Sequence, residues 1–111
     1  MTFFSGCVMK VPEIMEKIVE KIREMKGLNY VPVHEATFGI KIRVELNEEQ
    51  FNKLLDMLKS EGFKIGDSSV NDGGDITEIY NKDDVHEVVA IEYLKGEKYL
   101  VGNIIYYWKE Q

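Results

Sequence analysis

The sequence predicts an α+β domain in which an antiparallel sheet of four to five strands carries two helices packed on one face. Three observations lead there. Two stretches repeat apolar residues at helical spacing, and one stretch alternates apolar and polar residues with a period of two. The C-terminal third is strand-like and ends in a run of β-branched and aromatic residues. Along the chain the order is helix, one or two strands, helix, three strands, which is best served by a two-layer arrangement.

The first helix is expected over Val11 to Lys26. Val11, Met15, Ile18, Ile22 and Met25 form one apolar stripe, widened by Ile14 and Val19. Pro12 suits the first helical position and Gly27 the C-terminal stop. Charges fill the opposite side, where Glu13 with Lys17, Glu20 with Arg23 and Lys21 with Glu24 are spaced to pair. Two extended stretches follow. Asn29 to Glu35 contains Pro32, a mark of an edge or a bend. Phe38, Ile40, Ile42, Val44 and Leu46 then alternate with Gly39, Lys41, Arg43 and Glu45, giving one apolar and one mostly charged face. The two stretches pair as a hairpin around Ala36 to Gly39 or run on as one bent strand.

The second helix has the clearest start. Asn47 and Gln50 make a capping-box pattern, with Leu46 and Phe51 placed for a hydrophobic staple. Phe51, Leu54, Leu55 and Leu58 are its buried face, Gly62 its left-handed stop, and Phe63 folds back over the last turn. Gly66 to Asp75 reads as a polar loop. Strands are then expected at Ile76–Asn81, His86–Leu94 and Tyr99–Trp108, the last two joined by a turn at Lys95 to Lys98. Both parities of the final strand are apolar: Tyr99, Val101, Ile105 and Tyr107 on one, Leu100, Ile104, Tyr106 and Trp108 on the other. Two helices cover only one sheet face, so a second copy of the chain is expected against the other.

The chain has 111 residues, enough for one domain and one core. The domain is placed at 10–111, with 1–9 as an N-terminal extension. The single cysteine, Cys7, forms no intrachain disulfide and suits a reducing, intracellular setting. No apolar run approaches the ~18 residues of a membrane span. The formal net charge is −6 and it is unevenly spread. Asp67 to Glu92 holds eight acids against one base, Lys82, a net of −7, so the remainder of the chain sums to +1. Acid in this excess disfavours direct contact with nucleic acid phosphates. It favours a protein partner selected by charge, with Asp67, Asp72, Asp75, Glu78, Asp83, Asp84 and Glu87 as the partner-binding residues.

Catalytic and cofactor signatures are not found. Asp67-Ser-Ser-Val-Asn-Asp-Gly-Gly-Asp75 fails the calcium-loop spacing, because with Gly73 in the sixth position Ser68 and Val70 fall on ligand positions one and three. His34-Glu35 and His86-Glu87 are neighbours on strands, so each pair points to opposite faces. No Walker loop, G-x-G-x-x-G or G-x-S-x-G occurs. The expectation is therefore no enzyme, no metal and no cofactor. The alternatives are a small metal-dependent nuclease or hydrolase using His34 and His86, or a dimeric interaction module of another partner.

Three stretches carry a resemblance. They are the strand-to-helix junction Val44-Glu-Leu-Asn-Glu-Glu-Gln-Phe51, then Gly66-Asp67 followed by Ile76-Thr-Glu78, and the final hairpin Ile91-Glu-Tyr-Leu-Lys-Gly-Glu-Lys-Tyr99 ending in Tyr107-Trp-Lys109. With the order of helices and strands from about Met9 onward, the chain resembles a divergent member of the small anti-CRISPR proteins of archaeal rudiviruses, the type I-D inhibitor family. It departs from that family in its N-terminal extension, in the Ser68–Gly74 loop and in lacking most of the aromatic-rich stretch after the second helix. The resemblance implies a viral homodimer in the host cytoplasm that binds the large subunit of a type I-D CRISPR complex and blocks it without chemistry.

Overall fold

A computed structural model describes residues 11–36, 39–82, 87–96 and 99–108. The elements run α1 (Glu13–Lys26), β1 (His34–Ala36), β2 (Gly39–Asn47), α2 (Glu48–Ser60), β3 (Phe63–Val70), β4 (Ile76–Lys82), β5 (Glu87–Lys95) and β6 (Tyr99–Trp108). The strands form one antiparallel sheet in the order β1-β2-β6-β5-β4-β3, and both helices lie on one face of it. The α+β expectation holds, with six strands in place of four to five.

The additional strand is β3, which begins where Phe63 folds under α2 and continues through much of the stretch expected to be a loop. Its sequence hides it. Only Phe63 is buried, and the seven residues after it are exposed, so no apolar alternation marks the strand. Its residues still pair with β4 from Phe63↔Lys82 to Val70↔Ile76, with a register shift between Ile65 and Asp67. Backbone pairing alone makes the strand. The other open choice resolves as a hairpin, with His34 opposite Lys41 and Ala36 opposite Gly39. Phe38 itself lies outside the described residues, as do Met1–Met9, Asp83, Asp84, His86, Glu97 and Lys98.

The helices form as their sequences dictate. Pro12 stands one position before α1, where its extended backbone (ψ 148°) leaves its carbonyl free to accept from Met15 and Glu16. Gly27 ends α1 in the left-handed region (φ 64°). Asn47 and Gln50 complete the capping box of α2, each side chain accepting from the other's backbone N–H at 2.8 and 3.0 Å. Glu13–Lys17 and Glu20–Arg23 pair at 3.3 and 3.1 Å, while Lys21 and Glu24 do not. Lys17 also reaches Glu61 at 2.6 Å, just past the end of α2, and Gln50 donates to the carbonyl of Met25. These two ties set α1 and α2 antiparallel.

Met15, Ile18 and Ile22 of α1 and Leu54 and Leu58 of α2 are almost wholly buried with Ile40, Ile42, Leu46, Phe63, Val89 and Ile104 beneath them. Phe51 meets Tyr93 with ring centroids 5.0 Å apart, at the spacing of a tilted aromatic pair. Tyr93 lies opposite Gly102, where the backbone of Glu92 and the Cα and Cβ of Tyr93 leave no room for a side chain.

Candidate functional site

The register of the sheet places each side chain on one of two faces. Residues that point toward the helices include Ile42, Ile104, Ile91, Glu78 and Ser68, which form one continuous line across the strands. The opposite face is not covered by α1 or α2. There, Arg43, Asn103, Glu92, Thr77 and Ser69 fall in one row across five strands. The next row reads His34, Lys41, Ile105, Ala90, Ile79 and Asp67. Tyr107 and Val88 lie side by side in the row beyond, and Val101 and Leu94 in the row on the other side.

This open face has an apolar centre and a polar band. Ile105 and Ala90 are 7% and 3% exposed, yet neither belongs to the core beneath the helices. Ile79, Val88 and Tyr107 beside them are half-buried, and Leu94 is 51% exposed. In the polar band, Arg43 is exposed and Glu92 half-buried. Neither makes a hydrogen bond or ion pair with a described residue. A recess of about 320 Å³ opens beside them, walled also by Asn71, Asp75, Thr77 and Asn103.

The acids expected to bind a partner divide between the two faces. Asp67 is exposed on the open side of the edge strand β3. Asp72 and Asp75 stand in the turn from β3 to β4. Asn71 braces that turn: its side-chain oxygen accepts from the N–H of Gly73 and of Asp75, and its amide donates to the Asp75 carboxylate at 3.2 Å. The turn closes through Gly74 at φ 88°. These three carboxylates share one end of the sheet.

Glu78 and Glu87 point to the other side. The Tyr80 hydroxyl donates to Glu78 at 3.3 Å, and the Tyr106 hydroxyl to Glu87 at 3.1 Å. Both phenols are pushed up from their ordinary value, by burial first and then by the carboxylate each one touches. Lys82, the lone base of the acidic segment, lies 5.7 Å from the centre of the Phe63 ring on the helix side. It therefore lies away from Asp67, Asp72 and Asp75, and the base nearest them in β3 is Lys64. Asp83 and Asp84 lie outside the described residues.

His34 is exposed on β1 in the same row as Lys41, and Glu35 faces the other way, as neighbours on a strand must. His86 lies outside the described residues. Among the described residues no group of three or more His, Cys, Asp and Glu is placed to hold a metal ion. Among the described residues no helix is long and apolar enough to cross a membrane. What the geometry offers is an acidic edge, and a sheet face away from the helices that combines a buried apolar centre with two opposite charges that pair with no described residue.

Compared with known protein families, with curated proteins and with solved structures, the chain matches none of them. The polar row is the feature that sequence reading missed. Part of its signal was present, since Asn103 is an amide among the apolar and aromatic residues of β6 and Arg43 belongs to the charged face of β2, but Arg43, Asn103 and Glu92 fall into one row only once the register is known.

Proposed function

We propose that this chain is a non-catalytic inhibitor domain that acts by binding a host protein through the acidic edge formed by β3 and the turn after it. The observation that carries the reading is the placement of Asp67, Asp72 and Asp75. All three lie on the edge strand β3 or in the braced turn after it, where Lys64 at the start of β3 is the one base beside them. An excess of charge of one sign at an exposed edge speeds encounter with a basic surface and disfavours acidic ones. A braced turn also lowers the entropy cost of presenting that charge. Glu78 and Glu87 point to the helix side, where each accepts a hydrogen bond from a tyrosine, and they are not part of this edge.

The target follows from the resemblance in sequence. In this reading the chain is a viral, anti-CRISPR-like protein that works as a homodimer in the host cytoplasm, and its partner is the large subunit of a type I-D CRISPR complex. Binding of the tagged chain to that purified subunit tests it. The triple variant D67N/D72N/D75N is expected to bind at least about tenfold more weakly, chiefly through a slower association rate and a flatter salt dependence. An unchanged affinity would remove the acidic edge from the site. Failure of the wild-type chain to bind would remove the target.

A further inference from the structure

We infer that the partner protein adds a strand to the outer edge of β3: an extended segment that alternates basic and β-branched apolar residues, hydrogen-bonded to the backbone of Ser68 and Val70. The inference rests on the acidic-edge reading of the proposed function and names how that edge is engaged and what kind of sequence it selects.

The two edges of the sheet differ. β1, at one end, is three residues long and follows closely on Pro32. β3, at the other, has eight residues and no proline, and β4 is its one strand neighbour among the described residues. Phe63 alone is buried, and the seven residues after it are exposed. A long exposed edge is a template for another strand unless charge, proline or a bulge spoils it. The register shift of β3 lies between Ile65 and Asp67, so its regular part runs from Asp67↔Ile79 to Val70↔Ile76. Two hydrogen bonds fix the direction of the backbone groups there. The Asn71 N–H donates to the Asp75 carbonyl at 3.0 Å, which turns Asn71 toward the β4 side of the hairpin. Successive residues of an antiparallel strand turn their N–H and C=O groups to opposite sides. Those of Val70 and Ser68 therefore face outward. The Ser68 N–H agrees, since it donates to the neighbouring side chain, Asp67 Oδ1, at 3.1 Å.

Strand addition draws its affinity from main-chain hydrogen bonds and its specificity from alternate side chains. The register of β3 sets that alternation. Ile65, Ser68 and Val70 lie opposite Tyr80, Glu78 and Ile76, on the helix side of the sheet. Ile65 and Val70 are 53% and 66% exposed there, two β-branched side chains at the rim with open space beside them. Asp67 and Ser69 lie on the other side, where Asp75 stands with Thr77 on the wall of the recess. Side chains of an added strand on the helix side therefore meet apolar surface, and those on the other side meet carboxylate. Lys64 stands before the register shift, so the basic positions of the incoming segment belong beside Asp67 and the turn. On docking, a carbonyl of the incoming strand takes the Ser68 N–H. The Asp67 carboxylate is then released to a lysine or arginine side chain of that strand.

Fluorescence anisotropy of the full chain with a labelled peptide of alternating lysine and valine, used as a dilute tracer, tests this. A second peptide of the same composition, with its lysines in one block and its valines in another, keeps the charge and loses the alternation. The alternating peptide is expected to bind about tenfold or more tightly than the blocked one. S68P removes one outward N–H and no bond to β4. It is expected to weaken binding about tenfold or more, through faster dissociation, and circular dichroism melting checks that it folds. D67N/D72N/D75N is expected to slow association instead. Hydrogen exchange of the wild-type chain needs no variant: the amides of Ser68 and Val70 are expected to exchange about tenfold or more slowly with the alternating peptide bound. Equal binding of the two peptides, a folded S68P that binds like the wild type, or amides left unprotected in the complex would each overturn strand addition. The acidic-edge reading would survive those results as a contact through charge alone. No binding of the alternating peptide at physiological ionic strength would overturn the inference, while the triple variant assayed on the purified subunit decides the acidic-edge reading separately.

Discussion

The two faces of this sheet are built from alternate residues of the same strands, and they are closed in different ways. On β6, Ile104 and Ile105 are consecutive and chemically identical. Ile104 lies beneath the helices with Leu54, Leu58, Ile18 and Ile22 in the same core. Ile105 lies on the side away from the helices, beside Lys41 and Ala90. On the helix side the residues next to Arg43 and Glu92 in sequence, Ile42 and Ile91, are buried and apolar, and the charges Glu78, Lys82 and Glu87 stand on β4 and at the start of β5. The comparison separates two jobs for apolar surface. One face holds the fold together, and the other is apolar only at its centre and charged around it, a pattern suited to association.

The largest test of that contrast is a matched pair of truncations. Ile104→Ala removes a side chain that is 1% exposed in the core, and is expected to cost about 2–5 kcal/mol of unfolding free energy. Ile79→Ala removes the same group from the half-buried open face, and is expected to cost about 1 kcal/mol, since less area leaves water there. Urea denaturation of both variants, at one dilute protein concentration, measures the difference. Equal costs would mean that the open face is as tightly packed as the core.

A smaller effect is expected at Gly102. A methyl group there would meet the backbone carbonyl of Glu92 and the Cα of Tyr93, so Gly102→Ala must push two strands apart. The expected cost is about 1–3 kcal/mol. Loss of the Phe51–Tyr93 contact should accompany it, read as a change in near-ultraviolet circular dichroism.

The smallest effect concerns alkaline pH and belongs to the helix-covered face alone. Tyr80 and Tyr106 both have phenols raised above the ordinary value of 10.0, burial being the first cause in each. A group whose folded value is raised favours folding while it stays protonated in both states. Its contribution is complete below pH 10.0 and is lost as pH rises beyond that. Melting temperature is therefore expected to hold up to about pH 10 and then fall. Y80F and Y106F should each make the fall shallower. A fall equally steep in both variants would show that other groups drive it.

Much of the helix layer was legible in the residues. Pro12, Asn47, Gln50, Gly27 and Gly62 are local signals whose effect extends over one turn of chain, and they marked the helix ends to within two residues. β3 was not legible, because an exposed edge strand buries almost nothing and Ser68, Ser69 and Asp67 look like a loop. The acidic site was legible in composition but not in shape. Eight acids in one segment are visible at once. That Glu78 and Glu87 turn inward to Tyr80 and Tyr106, while Asp67, Asp72 and Asp75 remain on the edge, depends on strand parity and on the shift at Ile65/Asp67.

The sequence by itself determined the fold class, the two amphipathic helices with their caps, and the sign and location of the charge. These follow from periodicity and local hydrogen bonding, which act between residues close in the chain. Only the tertiary structure decided which strand lies beside which, and with it the row that sets Arg43, Asn103 and Glu92 across the open face. Strand order and register are set by contacts between distant segments, where a slip of one residue would send every side chain to the opposite face.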